Sequence, residues 1–286
     1  MQRKVFLVTK FLLFLMLFTI IVVCEKSTNE SDPGLPDPVD TGAHGIADSL
    51  AIKVLFVGNS LTYQNDLPAL FWNMADAAGK EIYVDQATIP GAQLIDHCSS
   101  EFTREKIMAH DWDFVILQEA IFDIAFPEYR DDAIQTIQIM ENYIFDNNPK
   151  TKVIYFLPWS SKNGFFKGAK SYTYEEAQKL LCDGTVEIAK RLGIMVAPVG
   201  WAWQKVIADR PDISMFSWDG SHPAPQGSYL SACVYFVTIF QESVVDNPYI
   251  VLIDQKTANY LEDVAIQTVL DSLGTWNIHP DDKPIF

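Results

Sequence analysis

Cysteine, histidine and positive charge are all scarce in this chain, and each shortage removes a class of function. Four cysteines occur in 286 residues, and none stands in the C-x-x-C spacing of zinc ribbons and thiol–disulfide enzymes. With Cys24 set aside, Cys98, Cys182 and Cys233 are odd in number, so at most one disulfide could form among them. Cys182 and Cys233 lie inside apolar helical patterns and read as small buried hydrophobes. The five histidines form no H-E-x-x-H, and there is no P-loop or dinucleotide-binding glycine fingerprint. Nothing in the residues calls for a metal or a cofactor. Lys and Arg number 21 against 37 Asp and Glu, a formal charge of −16. A surface of that sign repels phosphate backbones and anionic head groups. It argues against nucleic acid and anionic membranes as partners, and leaves neutral sugars and small esters open.

Long apolar runs are confined to the N-terminal end. A basic start at Arg3 and Lys4 precedes an apolar run over residues 11–23 that ends at Cys24. That order reads as an export signal over residues 1–24. It falls short of the roughly 20 apolar residues a membrane span needs, although extending it back to Val5 keeps an uncleaved anchor open. Ile21-Val22-Val23 before Cys24 resembles a bacterial lipoprotein box, with Val23 where a small residue is usual. Lipidation at Cys24 is therefore expected, which would place the protein outside the cytoplasm. The membrane would then be touched only through an N-terminal lipid or anchor. Residues 25–48 are rich in Ser, Asn, Asp, Pro and Gly and poor in large apolar residues. Such a stretch cannot offset its ordering entropy by burial and is expected as a flexible linker. Residues 49–286 suffice for one sizeable core, and they hold no internal repeat.

Five short apolar runs punctuate that domain, at residues 52–57, 82–87, 114–117, 152–157 and 195–198. Most are too continuous for half-buried strands and suit a parallel sheet covered on both faces. Helical patterns lie between them, over residues 67–78, 131–145 and 174–192, and two more follow over 225–240 and 256–273. Gly193 reads as a left-handed C-terminal cap. Alternating strands and helices predict a single doubly wound three-layer α/β/α domain on a five-stranded parallel sheet. In such a sheet, functional groups gather at the C-terminal strand ends.

The first strand ends on Gly58-Asn59-Ser60, which puts a hydroxyl where such a sheet presents its reactive groups. A serine nucleophile needs a base, usually histidine, and a carboxylate to orient it. The late stretch Ser217-Trp218-Asp219-Gly220-Ser221-His222-Pro223 offers both, three residues apart in a loop stiffened by proline. Alone, Gly-Asn-Ser is an ordinary turn and His222 an ordinary loop histidine. Together they point to nucleophilic catalysis. His97 beside Asp96 is an alternative pair without the proline-stiffened loop. His44, His110 and His279 have structural readings.

The two blocks, Val57-Gly58-Asn59-Ser60-Leu61-Thr62-Tyr63 and Asp219-x-x-His222, resemble the SGNH branch of the GDSL hydrolases in residue type and in chain order. The resemblance extends over residues 49–286. It implies a flavodoxin-like fold and an ester hydrolase with Ser60 as nucleophile, His222 as general base then acid, and Asp219 orienting it. It also implies an oxyanion hole made of the Ser60 N–H, a glycine N–H and an asparagine side chain. Gly91, just after the second strand, fits the glycine. The family's Gly-x-Asn-Asp block is missing: after the third strand the chain reads Gln118-Glu119-Ala120. Gln118 is the candidate replacement donor, against a structural end-of-strand glutamine, and Glu119 receives no role. Asn59, Trp159 and Trp218 are possible substrate-binding residues, since aromatic faces at a site mouth suit sugar rings. An exported esterase with such a rim suits removal of acyl groups, acetyl above all, from carbohydrate. A lipase or lysophospholipase-type esterase is the nearest rival, and a catalytically silent carbohydrate-binding lipoprotein the rival from another class.

Overall fold

The five apolar runs form one parallel sheet in the computed structural model, which describes residues 36–48 and 50–284. Its strands are β1 (Ile52–Gly58), β2 (Ile82–Thr88), β3 (Phe114–Leu117), β4 (Lys152–Phe156) and, after a small antiparallel hairpin of β5 (Phe165–Lys167) and β6 (Lys170–Tyr172), β7 (Met195–Ala197). The order is β2-β1-β3-β4-β7 with every neighbour parallel. The order reverses direction between β1 and β3, the switch point at which open α/β sheets place their ligands.

Helices cover both faces, so the expected doubly wound three-layer α/β class holds. α1 (Ser60–Tyr63) and α2 (Leu67–Ala77) follow β1, and α3 (Leu94–Ser99) and α4 (Glu101–Met108) follow β2. α5 (Ile121–Ala125) and α6 (Pro127–Asn147) follow β3, and α7 (Tyr174–Leu192) precedes β7. α8 (Val199–Asp209), α9 (Pro225–Phe240) and α10 (Gln255–Leu270) complete the chain, with α9 packed between α2 and α10. α9 is buried from Gly227 to Phe240 because it is apolar on nearly its whole circumference. Each large side chain buried this way contributes about 1.5–3 kcal/mol. α7 begins with a Thr173–Glu176 capping box and stops at Gly193, in the left-handed region at φ 73°. α6 starts earlier than its periodicity suggests because Pro127 suits a first helical turn.

The domain starts earlier than residue 49. Residues 36–48, expected as the end of a flexible linker, run along the free edge of β2. Val39 N–H donates to Thr88 O at 2.9 Å, and His44 and Val84 exchange both backbone bonds at 2.8 and 3.0 Å. Lys106 Nζ ties the segment down through Asp40 at 3.1 Å. An edge strand presents unpaired N–H and C=O groups, and a polar segment can satisfy them through its backbone with little apolar burial. The expected signal, Cys24 and residues 25–35 lie outside the described residues. Among the described residues Cys98, Cys182 and Cys233 are free thiols, and no helix is long and apolar enough to cross a membrane.

Candidate active site

β1 has to end on glycine. A Cβ on Gly58 would lie 2.6 Å from Thr62 Oγ1 and 2.7 Å from Gln118 Oε1. The next residue, Asn59, makes the turn and holds it. Its Oδ1 accepts the Leu61 N–H at 3.1 Å and so caps α1, while its Nδ2 donates to Ala92 O at 2.9 Å across the site. Ser60 is therefore the first helical residue, and its own N–H has no partner among the described residues. The strand end is braced from below by His97, whose Nε2 lies 3.1 Å from Gly58 O. A carbonyl only accepts, so Nε2 carries the proton and Nδ1 accepts from Thr103 Oγ1 at 2.8 Å. Burial pushes the His97 imidazole down to about 4, leaving it neutral. Asp96 instead caps Gln93 N–H at 2.8 Å. The alternative Asp96–His97 pair is thus a structural brace.

The loop that carries Asp219 and His222 closes on itself before it meets Ser60. Ser217 N–H donates to His222 O at 2.8 Å, and Phe216 bridges Pro223. Gly220 turns the tip at φ 72° and donates to Ser217 O at 3.1 Å. Three neighbours hold the loop from outside. Lys162 N–H donates to Gly220 O at 2.7 Å, Trp159 Nε1 to Ser221 O at 2.9 Å, and Asn65 Nδ2 to Pro223 O at 3.0 Å. Asn65 also donates to Ser228 Oγ at 3.0 Å and sits at φ 56°, a left-handed conformation asparagine tolerates. It therefore locks the Ser60 segment to the His222 loop.

Within this frame Ser60, His222 and Asp219 form one hydrogen-bonded chain. Asp219 Oδ2 lies 2.6 Å from His222 Nδ1, and His222 Nε2 lies 2.9 Å from Ser60 Oγ. The carboxylate fixes the proton on Nδ1, so Nε2 is the free base facing the serine hydroxyl. Asp219 Oδ1 accepts the backbone N–H groups of Ser221 and His222 at 2.8 and 2.9 Å and the Ser217 hydroxyl at 2.9 Å. The His222 ring N–H, then those two backbone N–H groups, hold its carboxyl far below the usual carboxylate range.

A cavity of about 260 Å³ opens beside Ser60, with His222, Leu61, Gln118, Glu119 and Ile121 among its walls. Gln118 is 1 % exposed, and its amide is strongly engaged. Its Oε1 accepts from Asn59 N–H at 2.8 Å and Thr62 Oγ1 at 3.2 Å, which fixes the amide's orientation. Its Nε2 donates to Glu119 O at 3.1 Å and keeps one further hydrogen. Gly91 stands in an exposed left-handed turn at φ 71°, near the cavity but outside its walls.

Two of the expected substrate-binding residues, Asn59 and Trp159, line the cavity and also position others. Asn59 has both ends of its amide engaged in the turn. Trp159 is 2 % exposed, stacked on Trp203 at 3.9 Å between ring centroids, and holds Ser221 with its N–H. Trp218 is the contrast: it is 98 % exposed, directly before Asp219. Asn65 escapes the motif reading, which weighs His97 only as an alternative to His222 and gives Glu119 no role; all three belong to the site or its supports. Their local sequence carries no signal, because their partners lie far along the chain.

No family model matches the sequence, and neither does any curated protein. Solved structures do resemble it. A DUF4886 family protein from Bacteroides uniformis is similar with a TM-score of 0.67 at 21 % identity, over 77 % of this chain and 95 % of that one. A protein regarded as an SGNH hydrolase, from Slackia heliotrinireducens, is similar at 0.53 and 22 % identity, over 65 % and 97 %. A catalytic mutant of the acetylxylan esterase Axe2 from Geobacillus stearothermophilus is similar at 0.50 and 17 % identity, over 67 % and 95 %. At these identities the likeness is one of fold.

Proposed function

Since the chain folds as the SGNH hydrolases do, we propose that it hydrolyses carboxylic esters, with Ser60 as nucleophile. The observation that carries this reading is the continuous chain from Asp219 through His222 to Ser60 Oγ, 2.6 and 2.9 Å long in its two links. His222 Nε2 takes the hydroxyl proton as Ser60 Oγ attacks the ester carbonyl. Asp219, ionised throughout the neutral range, stabilises the imidazolium that forms. The oxyanion is met by the Ser60 N–H and the remaining Gln118 Nε2 hydrogen, with the Gly91 N–H as the third donor of this reading. His222 then protonates the leaving alcohol. A water, activated by the same imidazole, releases the acid from the acyl-Ser60 intermediate.

The substrate proposed is an acetyl ester on a carbohydrate. The cavity beside Ser60 is small, which suits a short acyl group better than a fatty chain. Trp218 offers a bare aromatic face next to the catalytic loop, the kind of surface on which a sugar ring stacks. The esterase activity on acetylated xylan named for the Geobacillus protein is in keeping with this choice. Export with lipidation at Cys24 is part of the same proposal and rests on the N-terminal sequence alone. Loss of the protein from the membrane fraction on Cys24→Ala is its check.

Hydrolysis of p-nitrophenyl acetate, longer p-nitrophenyl acyl esters and acetylated xylan tests the reading. Turnover should be greatest for acetyl and fall steeply with chain length. A preference for long acyl chains would support the lipase-type rival, and no turnover of any ester would support the silent carbohydrate-binding one.

A further inference from the structure

Glu119 carries more chemistry than the fold requires. One oxygen, Oε1, accepts the N–H groups of both Leu94 at 3.1 Å and Ala120 at 2.7 Å. The other, Oε2, has no partner among the described residues. A glutamine amide oxygen would serve those two N–H groups equally well without burying a charge. Yet the residue is 2 % exposed, and no lysine or arginine lines the cavity it faces. Burial outweighs its two N–H donors and pushes its carboxyl up to about 7. An unpaired buried carboxyl is costly to keep, and this one stands in the wall of the Ser60 cavity.

Glu119 also lines a second cavity, of about 380 Å³, between α3, α5 and α6. Gln93, Asp123, Tyr129, Asp132 and Gln135 are among its walls, and no basic residue is. Ligand clefts run to about 300–1,000 Å³. The 260 Å³ space at Ser60 falls below that range, the second space falls inside it, and Glu119 is the residue common to both walls.

We propose that Glu119 determines specificity for the alcohol side of the ester: Oε2 accepts a hydrogen bond from a substrate hydroxyl, and the cavity beyond it seats further units of a neutral, hydroxyl-rich chain. The two aspartates there disfavour alcohols bearing carboxylates. Amide, hydroxyl and aromatic groups on the same walls suit sugar rings. The inference rests on the esterase reading only for which end of the ligand lies at Ser60.

Calorimetry with the full chain carrying Ser60→Ala tests it, because substrate then binds without turnover. The ligands are acetylated xylo-oligosaccharides, neutral or bearing glucuronate. Adding Glu119→Gln should weaken binding of the neutral chain at least about tenfold, in line with loss of a charge-assisted bond. It should also narrow the preference for neutral over glucuronate-bearing chains. Gln135→Trp, on the exposed face of α6, should block the second cavity and weaken binding as strongly. In enzymes that keep Ser60, Glu119→Gln should lower kcat/KM for the oligosaccharide about tenfold more than for p-nitrophenyl acetate. Binding unaltered by either substitution, or equal losses on both esters, would overturn the proposal. Oligosaccharide binding that responds as expected in a protein that cleaves no ester would overturn the esterase reading and leave the subsite standing.

Discussion

Asp219 and Glu119 flank the same serine, each accepts two backbone N–H groups, and their carboxyls move in opposite directions. Asp219 sits in a partly open loop with an imidazole N–H at 2.6 Å, and its ionised form is strongly favoured. Glu119 is enclosed, meets no cation among the described residues, and is pushed up to about 7. Backbone donors are therefore not what separates them. Solvent access and the imidazole N–H donor are. The difference assigns different work. In the proposed mechanism Asp219 is the anion that orients the base, whereas Glu119 is a reluctant one whose free oxygen is available to a ligand.

The largest loss should follow removal of the charge from Asp219. Asp219→Asn should cut kcat by about 10⁴, because the amide no longer fixes the His222 tautomer. Steady-state hydrolysis of p-nitrophenyl acetate reads this directly, and a loss below about tenfold would deny Asp219 its role.

Gln118→Ala attacks the wall between the two carboxylates. It should lower kcat by about 10²–10³ if the Nε2 hydrogen serves the oxyanion. It should also destabilise the fold by about 1–3 kcal/mol, because the Asn59 N–H loses its buried acceptor. Stability loss with kcat preserved would make Gln118 purely structural.

Glu119→Gln should change stability in a pH-dependent way. A carboxyl whose folded value lies near 7 against 4.5 unfolded holds its stabilising proton fully below about 4.5 and loses that stability as pH rises through about 7. The amide has no such dependence. Urea denaturation should therefore show the variant more stable than the parent at pH 8, by about 1–3 kcal/mol, with the gap closing towards pH 4.5. A gap independent of pH would mean that Glu119 titrates normally. Asp219 has the reverse sign: its contribution is present above 3.8 and lost only as pH falls towards its much lower folded value.

Trp218→Ala is the mildest change. The ring is 98 % exposed, so the melting temperature should stay put, while KM for acetylated oligosaccharides rises about two- to fivefold. An unaltered KM would remove the proposed platform.

The strands and the longer helices were legible because each is written locally. Continuous apolar runs give buried parallel strands, and Thr173–Glu176 with Gly193 brackets α7. Ser60, Asp219 and His222 were legible for a related reason: a strand end and a three-residue spacing are local, and parallel topology brings both to one edge. What escaped depends on pairing across the chain. Residues 36–48 join the β2 edge through backbone bonds that leave no side-chain pattern. The short helices α3, α4 and α5 and the β5–β6 hairpin are too brief for periodicity to mark. Asn65 gains its place from Pro223 and Ser228, and Glu119 its character from enclosure near α3. Trp159 and Trp218 look alike in sequence, and only packing separates the buried one from the bare one.

The central claim is that His222 activates Ser60, and covalent labelling tests it most directly. A fluorophosphonate probe transfers its phosphonyl group to an activated serine oxygen with loss of fluoride. Mass spectrometry of the treated protein should show one adduct, on the peptide containing Ser60, and no adduct in His222→Ala. Labelling at another serine, or none at Ser60 in the intact protein, would contradict the account.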